Sequence, residues 1–317
     1  MPTLTQLEYL LAVDQHRHFG RAAKASHISQ PTLSMQIQKV EDEFGFIFFD
    51  RTKQPVVPTP QARGVLEQAR HVVSEMKKFE SLIRNRVDQP EGVFRLGVIP
   101  TVAPFLLPRF LVGFALEHPK IQLQISEIPT DSILDGLERE TLDAGILATP
   151  LQIPSLSEKP LFYEPFQVYH SEGHPLGLKK KIVEGQIDSK DIWLLAEGHC
   201  FRNQILELCS RRKPGSGALP NVELEGGSLE TVMSLVDQGR GFTLIPELLV
   251  LGLSVEKKLR CKKFMDPVPS REISLISRRT QFKGTLLNLL ESAITRSLPE
   301  SLPRSPSKKI SVIPVVS

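Results

Sequence analysis

Cysteine is scarce in this chain. Its three residues in 317, Cys200, Cys209 and Cys261, are too few for a disulfide framework, and their spacing lacks the C-x2-C pairs of a metal site. An excess of one charge is also missing. Lysine and arginine number 39 against 36 aspartates and glutamates, a net charge of +3, so no global basic field announces a nucleic-acid partner. Long apolar runs are lacking too: 93–108 and 241–255 are interrupted by Arg95, Glu247 and prolines. No basic region precedes an apolar run at the start, so no signal peptide is expected. These absences argue against a secreted disulfide scaffold and a membrane span, and predict a cytoplasmic protein with reduced thiols.

What is present falls into zones. The length predicts two or three folding units, and 40% apolar residues are ample for their cores. Residues 1–58 are short amphipathic stretches with turn-sized gaps. Residues 59–88 read as a linker helix: Thr59 caps it, Pro60 opens it, and Ala62, Leu66, Ala69, Val73, Met76, Phe79 and Ile83 recur every three or four residues. Such a stripe either packs on its own chain or pairs two subunits. From 89 to 298 strand-like and helix-like segments alternate, predicting an α/β region with a mostly parallel sheet, as one large domain or two lobes. Residues 299–317, rich in serine, proline and basic side chains, are expected to be disordered.

Within the first zone, an alanine-bearing helix containing Arg21-Ala22-Ala23 runs through a His27–Ser29 turn into a second helix. Ser29 is its cap and Pro31 lies in its first turn. Leu33, Ile37, Val40 and Phe44 share one face and are expected in the core. The other face carries Pro31, Met35, Gln38 and Lys39, flanked by Thr32 and Ser34. That face suits a DNA major groove; the alternative is a helical-hairpin interaction module with a solvated polar face. Arg51, Lys53 and Arg63 around a proline-rich loop, with Arg21, are candidate phosphate contacts.

Residues 1–64 closely resemble the winged helix-turn-helix of LysR-type transcriptional regulators. The likeness rests on Leu7-Glu8-Tyr9, Arg21-Ala22-Ala23, Ser29-Gln30-Pro31-Thr32-Leu33-Ser34, Lys39-Val40-Glu41 and Phe49-Asp50-Arg51-Thr52. By that resemblance Gln30, Pro31, Ser34 and Met35 lie near bases of double-stranded operator DNA, while Thr32 and Arg51 approach phosphates. Met35, lacking a polar group, would meet a thymine methyl. The resemblance also implies a homodimer or homotetramer that contacts RNA polymerase.

The second informative stretch is Gly198-His199-Cys200-Phe201-Arg202-Asn203, running on to Cys209. A strand ends, a glycine turns, and a helix begins at Cys200. A helix N-terminus, with His199 and Arg202 nearby, favours thiolate over thiol. Cys200 and Cys209 stand about 13 Å apart along one continuous helix and about 180° around it. A disulfide between them therefore requires the helix to unwind. Read from the residues alone, either cysteine is a small buried hydrophobe or a reactive thiol. Cys261 has basic neighbours but no resolving partner and reads as structural. No third or fourth ligand joins the His-Cys pair, so neither metal nor cofactor is expected.

This stretch is similar to the peroxide-sensing branch of the LysR family, and the similarity continues through Ile99-Pro100-Thr101-Val102, Pro104–Pro108, Ser228–Thr231 and Gly241–Pro246. It implies that Cys200 reacts with hydrogen peroxide and Cys209 resolves it, that Thr101, Thr130, His199 and Arg271 form the peroxide pocket, and that a thiol reductant resets the switch. It further implies a two-lobed regulatory domain of periplasmic-binding-protein type, with crossovers near 163–167 and 266–270. Thr101 and Thr130, each beside a proline at a strand end, equally read as helix caps. Asn203 replaces an aspartate common in this branch, removing a negative charge one turn from Cys200. Two other readings stay open: a LysR regulator that binds a small metabolite between its lobes, and a thiol peroxidase.

Overall fold

A computed structural model describes residues 2–84, 91–183, 185, 187–196, 200–209, 228–279 and 283–315. The chain divides into two compact units near residue 89. The first is helical: α1 (Leu4–His16), α2 (Phe19–Ala25) and α3 (Gln30–Phe44), a two-stranded wing of β1 (Phe49–Asp50) and β2 (Val57–Pro58), and the long α4 (Pro60–Arg84). Local chemistry sets these boundaries. Thr3 and Gln6 form a capping box on α1. Ser29 accepts the Thr32 amide at the start of α3, and Gly45 ends it in the left-handed conformation. Between α2 and α3, His27 takes a positive φ and Ile28 donates to the Ala23 carbonyl, closing the turn that crosses the two helices.

Leu33, Ile37 and Val40 fill the core with Leu10, Val13, Ala22, Phe48 and Phe49. Phe44 departs from expectation. It is 47% exposed because it lies at the last turn of α3, against Phe46 and Phe48 at the rim. On α4 the apolar stripe divides: Ala62 and Leu66 join this core and Ala69 and Val73 are also buried, whereas Met76 and Phe79 are exposed, with Val72, outside the stripe, exposed beside them. Asp14 of α1 is buried in ion pairs with Arg17 and with Arg70 of α4.

The second unit alternates β3 (Gly92–Val98), α5 (Ala103–Glu117), β4 (Ile121–Glu127), α6 (Thr130–Glu138), β5 (Ala144–Thr149) and the fifteen-residue β6 (Leu156–His170). It continues with α7 (Cys200–Leu208), α8 (Leu229–Asp237), β7 (Phe242–Pro246), α9 (Glu247–Gly252), α10 (Val255–Leu259), β8 (Cys261–Lys263), β9 (Val268–Arg278), α11 (Gly284–Ser297) and β10 (Ile310–Val312). The strand order is β4-β3-β5-β9-β6-β7, with β8 on β6 and β10 on β9. Two apolar cores result. One gathers around β3, β5, α5, α6 and α11, the other around β7, α7 and α8. β6 serves both, pairing with β9 through Pro165 and with β7 from Phe166 onward. That changeover falls inside the expected crossover interval.

Two expectations need correction. The sheet is mixed rather than mostly parallel. β3 pairs in parallel with β4 and β5, but β5–β9, β6–β9, β6–β7 and β6–β8 are antiparallel, because β6 and β9 traverse the lobes in opposite directions. The expected disordered tail is also folded across its described residues, 299–315. Its composition hides the anchors Leu302 and Ile313, both buried, and the edge of β9 offers backbone partners that β10 takes up.

Close packing of α6 on the sheet depends on Gly145 of β5, where an added Cβ would lie 2.4 Å from Ile133 Cγ2. Gly145→Ala is expected to cost about 1–3 kcal/mol in urea denaturation. Gly113→Ala, in α5 with nothing within 4 Å, should be neutral or stabilising by about 0.4–1 kcal/mol.

Candidate redox site and nucleic-acid interface

Cys200 is the first residue of α7, partly buried where this helix meets the ends of β3 and β4. A cavity of about 10 Å³ adjoins it, lined by Ile99, Thr101, Pro129, Thr130 and Phe201 among others. That is room for one water-sized molecule. Neither threonine caps its helix: the N-cap positions are Val102 and Pro129, which make no side-chain cap. Both hydroxyls are thereby left for the cleft. Thr101 accepts from Arg271, whereas the buried Thr130 hydroxyl has the Cys200 thiol as its neighbour.

Arg271 organises this junction. Completely buried on β9, its Nε donates to Glu164 Oε2 at 2.9 Å, Nη1 to Thr101 Oγ1 at 2.8 Å and Nη2 to the Thr101 carbonyl at 3.0 Å. Its guanidinium carbon lies 4.9 Å from the centre of the Phe201 ring, a cation–π stack. Glu164, also buried, spends its other oxygen on the Leu248 amide at the start of α9. Glu164 and Phe201 escaped the reading of the sequence. Glu164 carries no local motif, and only its place in the β6 crossover marks it.

Burial pushes the Cys200 thiol pKa up; Thr130, the Arg271 charge, and the amides of Phe201 and Cys200 oppose that shift. Arg202, the expected cationic neighbour, instead donates to the Leu195 carbonyl at 2.8 Å. The thiolate-stabilising cation thus comes from a distant strand. His199 lies outside the described residues. Cys209, just past the other end of α7, is buried; its Sγ–H donates to the Ile205 carbonyl, and its pKa is raised to about 11 by burial and Asp188. All three cysteines are free thiols. Cys261 donates to the Lys257 carbonyl and is also pushed to about 11. Among the described residues, no group of His, Cys, Asp and Glu is arranged to hold a metal, and no helix is long and apolar enough to cross a membrane.

The first unit holds a separate surface. Arg21, Gln30, Pro31, Thr32 and Met35 lie along α2 and the start of α3; Arg21, Gln30, Pro31 and Thr32 are exposed and Leu33 turns inward. Met35 is exposed as well, at 60%. Ser34 lies beneath Arg51, which donates to Ser34 Oγ at 3.1 Å and to Glu41 Oε2 at 2.8 Å. Arg51 also lies over the Phe19 ring, at 4.8 Å. It retains further N–H donors for an external acceptor.

Comparison with known proteins gives this geometry a context. Residues 4–63 match the family described as bacterial regulatory helix-turn-helix protein, lysR family, and residues 88–298 match the LysR substrate binding domain. A hydrogen peroxide-inducible genes activator of Haemophilus influenzae is 36% identical over 87% of this chain and 90% of that protein. The DNA-binding transcriptional dual regulator OxyR of Escherichia coli is 35% identical over 87% and 89%. A full-length OxyR variant from Pseudomonas aeruginosa superposes with a TM-score of 0.79 at 33% identity, covering 93% of this chain and 98% of that one. An H2O2-bound OxyR variant from Corynebacterium glutamicum gives 0.59 at 28% identity, over 94% and 92%.

Removing a thiolate-stabilising neighbour should raise the Cys200 pKa further. Thr130→Val and Arg271→Met are each expected to move the pH profile of Cys200 alkylation upward, followed by mass spectrometry. Cys209, near 11 against an ordinary 9, should carry about 100-fold less thiolate than a free thiol and alkylate correspondingly slowly in the folded protein.

Proposed function

The chain belongs to the LysR family of bacterial transcriptional regulators, in its OxyR branch, and from that premise we propose that it is a DNA-binding regulator that senses hydrogen peroxide through Cys200 and Cys209. The observation that carries the reading is the small cavity against the Cys200 thiol, lined by Thr101 and Thr130, with the buried Thr130 hydroxyl beside the sulfur. Peroxide, a small ligand with two hydroxyls, can place one against Thr130 while bringing an oxygen to sulfur. A metabolite of ordinary size does not fit that cavity, which favours peroxide over the metabolite-responsive alternative at this site. The family consists of transcriptional regulators rather than enzymes, so the thiol-peroxidase reading falls.

The chemistry balances as follows. The Cys200 thiolate attacks one peroxide oxygen; the O–O bond breaks, and hydroxide leaves and takes up a proton as water. The sulfur is then a sulfenic acid. The Cys209 thiolate attacks that sulfur, the S–O bond breaks, a second water departs and the S–S bond forms. Two electrons have passed from the cysteines to one peroxide molecule. Thr101 and Thr130 orient the peroxide, with Arg271 holding Thr101 and opposing the loss of thiolate. His199 belongs to the same pocket by resemblance. Because Cys200 opens a nine-residue helix and Cys209 directly follows it, the product forces α7 to unwind.

The remodelled lobe alters subunit packing in a dimer or tetramer, joined in part through the exposed Val72, Met76 and Phe79 of α4. The spacing of paired DNA-binding units changes with it, and so does contact with RNA polymerase. A cytoplasmic thiol reductant restores the dithiol. On operator DNA, Gln30, Pro31, Ser34 and Met35 address bases while Arg21, Thr32 and Arg51 address phosphates.

The decisive measurement is non-reducing peptide mapping of reduced protein after micromolar peroxide. A linked Cys200–Cys209 peptide within seconds is expected; free cysteines after that exposure would return the protein to the metabolite-responsive alternative. In DNA binding, Gln30→Ala should lose about 1–3 kcal/mol of discrimination at one base pair. Arg21→Ala should weaken all sequences alike and reduce the salt slope by about one.

A further inference from the structure

The segment after α11 crosses the hinge between the two lobes. Leu302 is buried in the first lobe's core, and the Pro303 carbonyl accepts the Tyr163 amide of β6 at 2.8 Å. The Lys309 carbonyl accepts the Val268 amide at 2.7 Å, and β10 runs parallel to β9 with Ile310 opposite Val268 and Val312 opposite Ser270. Ile313 is then held from two sides. Its amide donates to the Ser270 carbonyl at 2.9 Å, one residue before Arg271. Its own carbonyl accepts Gln204 Nε2 at 3.0 Å. The Ile313 side chain is buried in the second lobe's core, and Val315 returns to pack on the first.

Gln204 lies in the middle of α7, between the two cysteines. It is fully buried, and its amide oxygen has no partner among the described residues. A buried glutamine amide is costly unless hydrogen-bonded. Among the described residues, the Ile313 carbonyl is what satisfies its Nε2. The bond therefore exists only while α7 keeps its helical placement, and any unwinding of α7 must break it.

We propose that residues 310–315 and Gln204 are positioning elements of the redox site, through which the C-terminal strand holds α7 in the helical dithiol form and is released from it when Cys200 and Cys209 join. This rests on the redox reading given above and adds no atoms to that reaction. Because the strand binds one redox form in preference to the other, it shifts the equilibrium between them. Losing it favours the disulfide, making the midpoint potential more negative.

The test uses the full-length protein in both redox states, with hydrogen exchange read at the Ser311–Ile313 amides. Protection is expected to fall at least tenfold on oxidation. In parallel, the Cys200–Cys209 couple is titrated in dithiothreitol buffers for the parent, for Gln204→Leu, and for a chain ending at Lys309. A tenfold change in the equilibrium, about 30 mV for two electrons, is expected toward more negative potential in both variants. Gln204→Leu keeps the whole chain, so its potential is informative even where truncation disturbs folding. Unchanged exchange, or an unchanged potential in Gln204→Leu, overturns the proposal while leaving the thiol chemistry standing. A parent protein that forms no Cys200–Cys209 disulfide with peroxide overturns the redox reading and the tail proposal together.

Discussion

The guanidinium of Arg271 is the interaction on which both the lobes and the thiol site depend. An unpaired charge at zero exposure would carry a prohibitive desolvation cost, and the surrounding chain is arranged to remove it. Glu164 from β6 neutralises it, Thr101 at the end of β3 accepts two of its hydrogen bonds, and Phe201 of α7 offers it a ring face. Each partner belongs to a different element, so one side chain fixes the relation of the first lobe, the crossover strands and the helix that begins with Cys200. The electrostatic support for the thiolate is inseparable from the support for the hinge. A perturbation at the sulfur is therefore felt where the two lobes join.

The placement of the cysteines gives that junction a job. Cys200 is poised at the positive end of α7, whereas Cys209 is buried, protonated and bonded back to the Ile205 carbonyl one turn earlier. The two cannot meet while α7 is intact. On the proposed reading, peroxide chemistry at one end would be coupled to the packing of Phe201, Ile205 and Leu208 in the second core. A buffer thiol would need none of this; the proposed signal would, because the chemical event must change something that a distant surface can register.

How much of this was legible in the sequence follows the range of each interaction. Ser29 and Pro31 announce the start of α3 because capping is local. Side-chain neighbours were harder. Arg202 adjoins Cys200 in sequence yet turns to Leu195, while Arg271 arrives from a strand far along the chain. Glu164 had no signature at all, since its role arises only when β6 and β9 are paired. Phe44 satisfied the helical period but lay beyond the reach of the core. The tail differs for the opposite reason: its average composition predicts disorder, whereas a few apolar anchors and one available strand edge decide its fate.

Arg51 has a consequence for how DNA is met. It ties the wing to α3 through Ser34 and Glu41 and rests on Phe19 of α2, while Glu41 also accepts the Phe48 amide. Wing and recognition helix are thereby one rigid tool, whose ordering entropy is settled on folding rather than on contact. A rigid tool cannot mould itself to an imperfect groove. With the proposed DNA contacts, the accommodation would fall on the double helix, so stiffness and groove width at base pairs the protein never touches would become part of the address it reads.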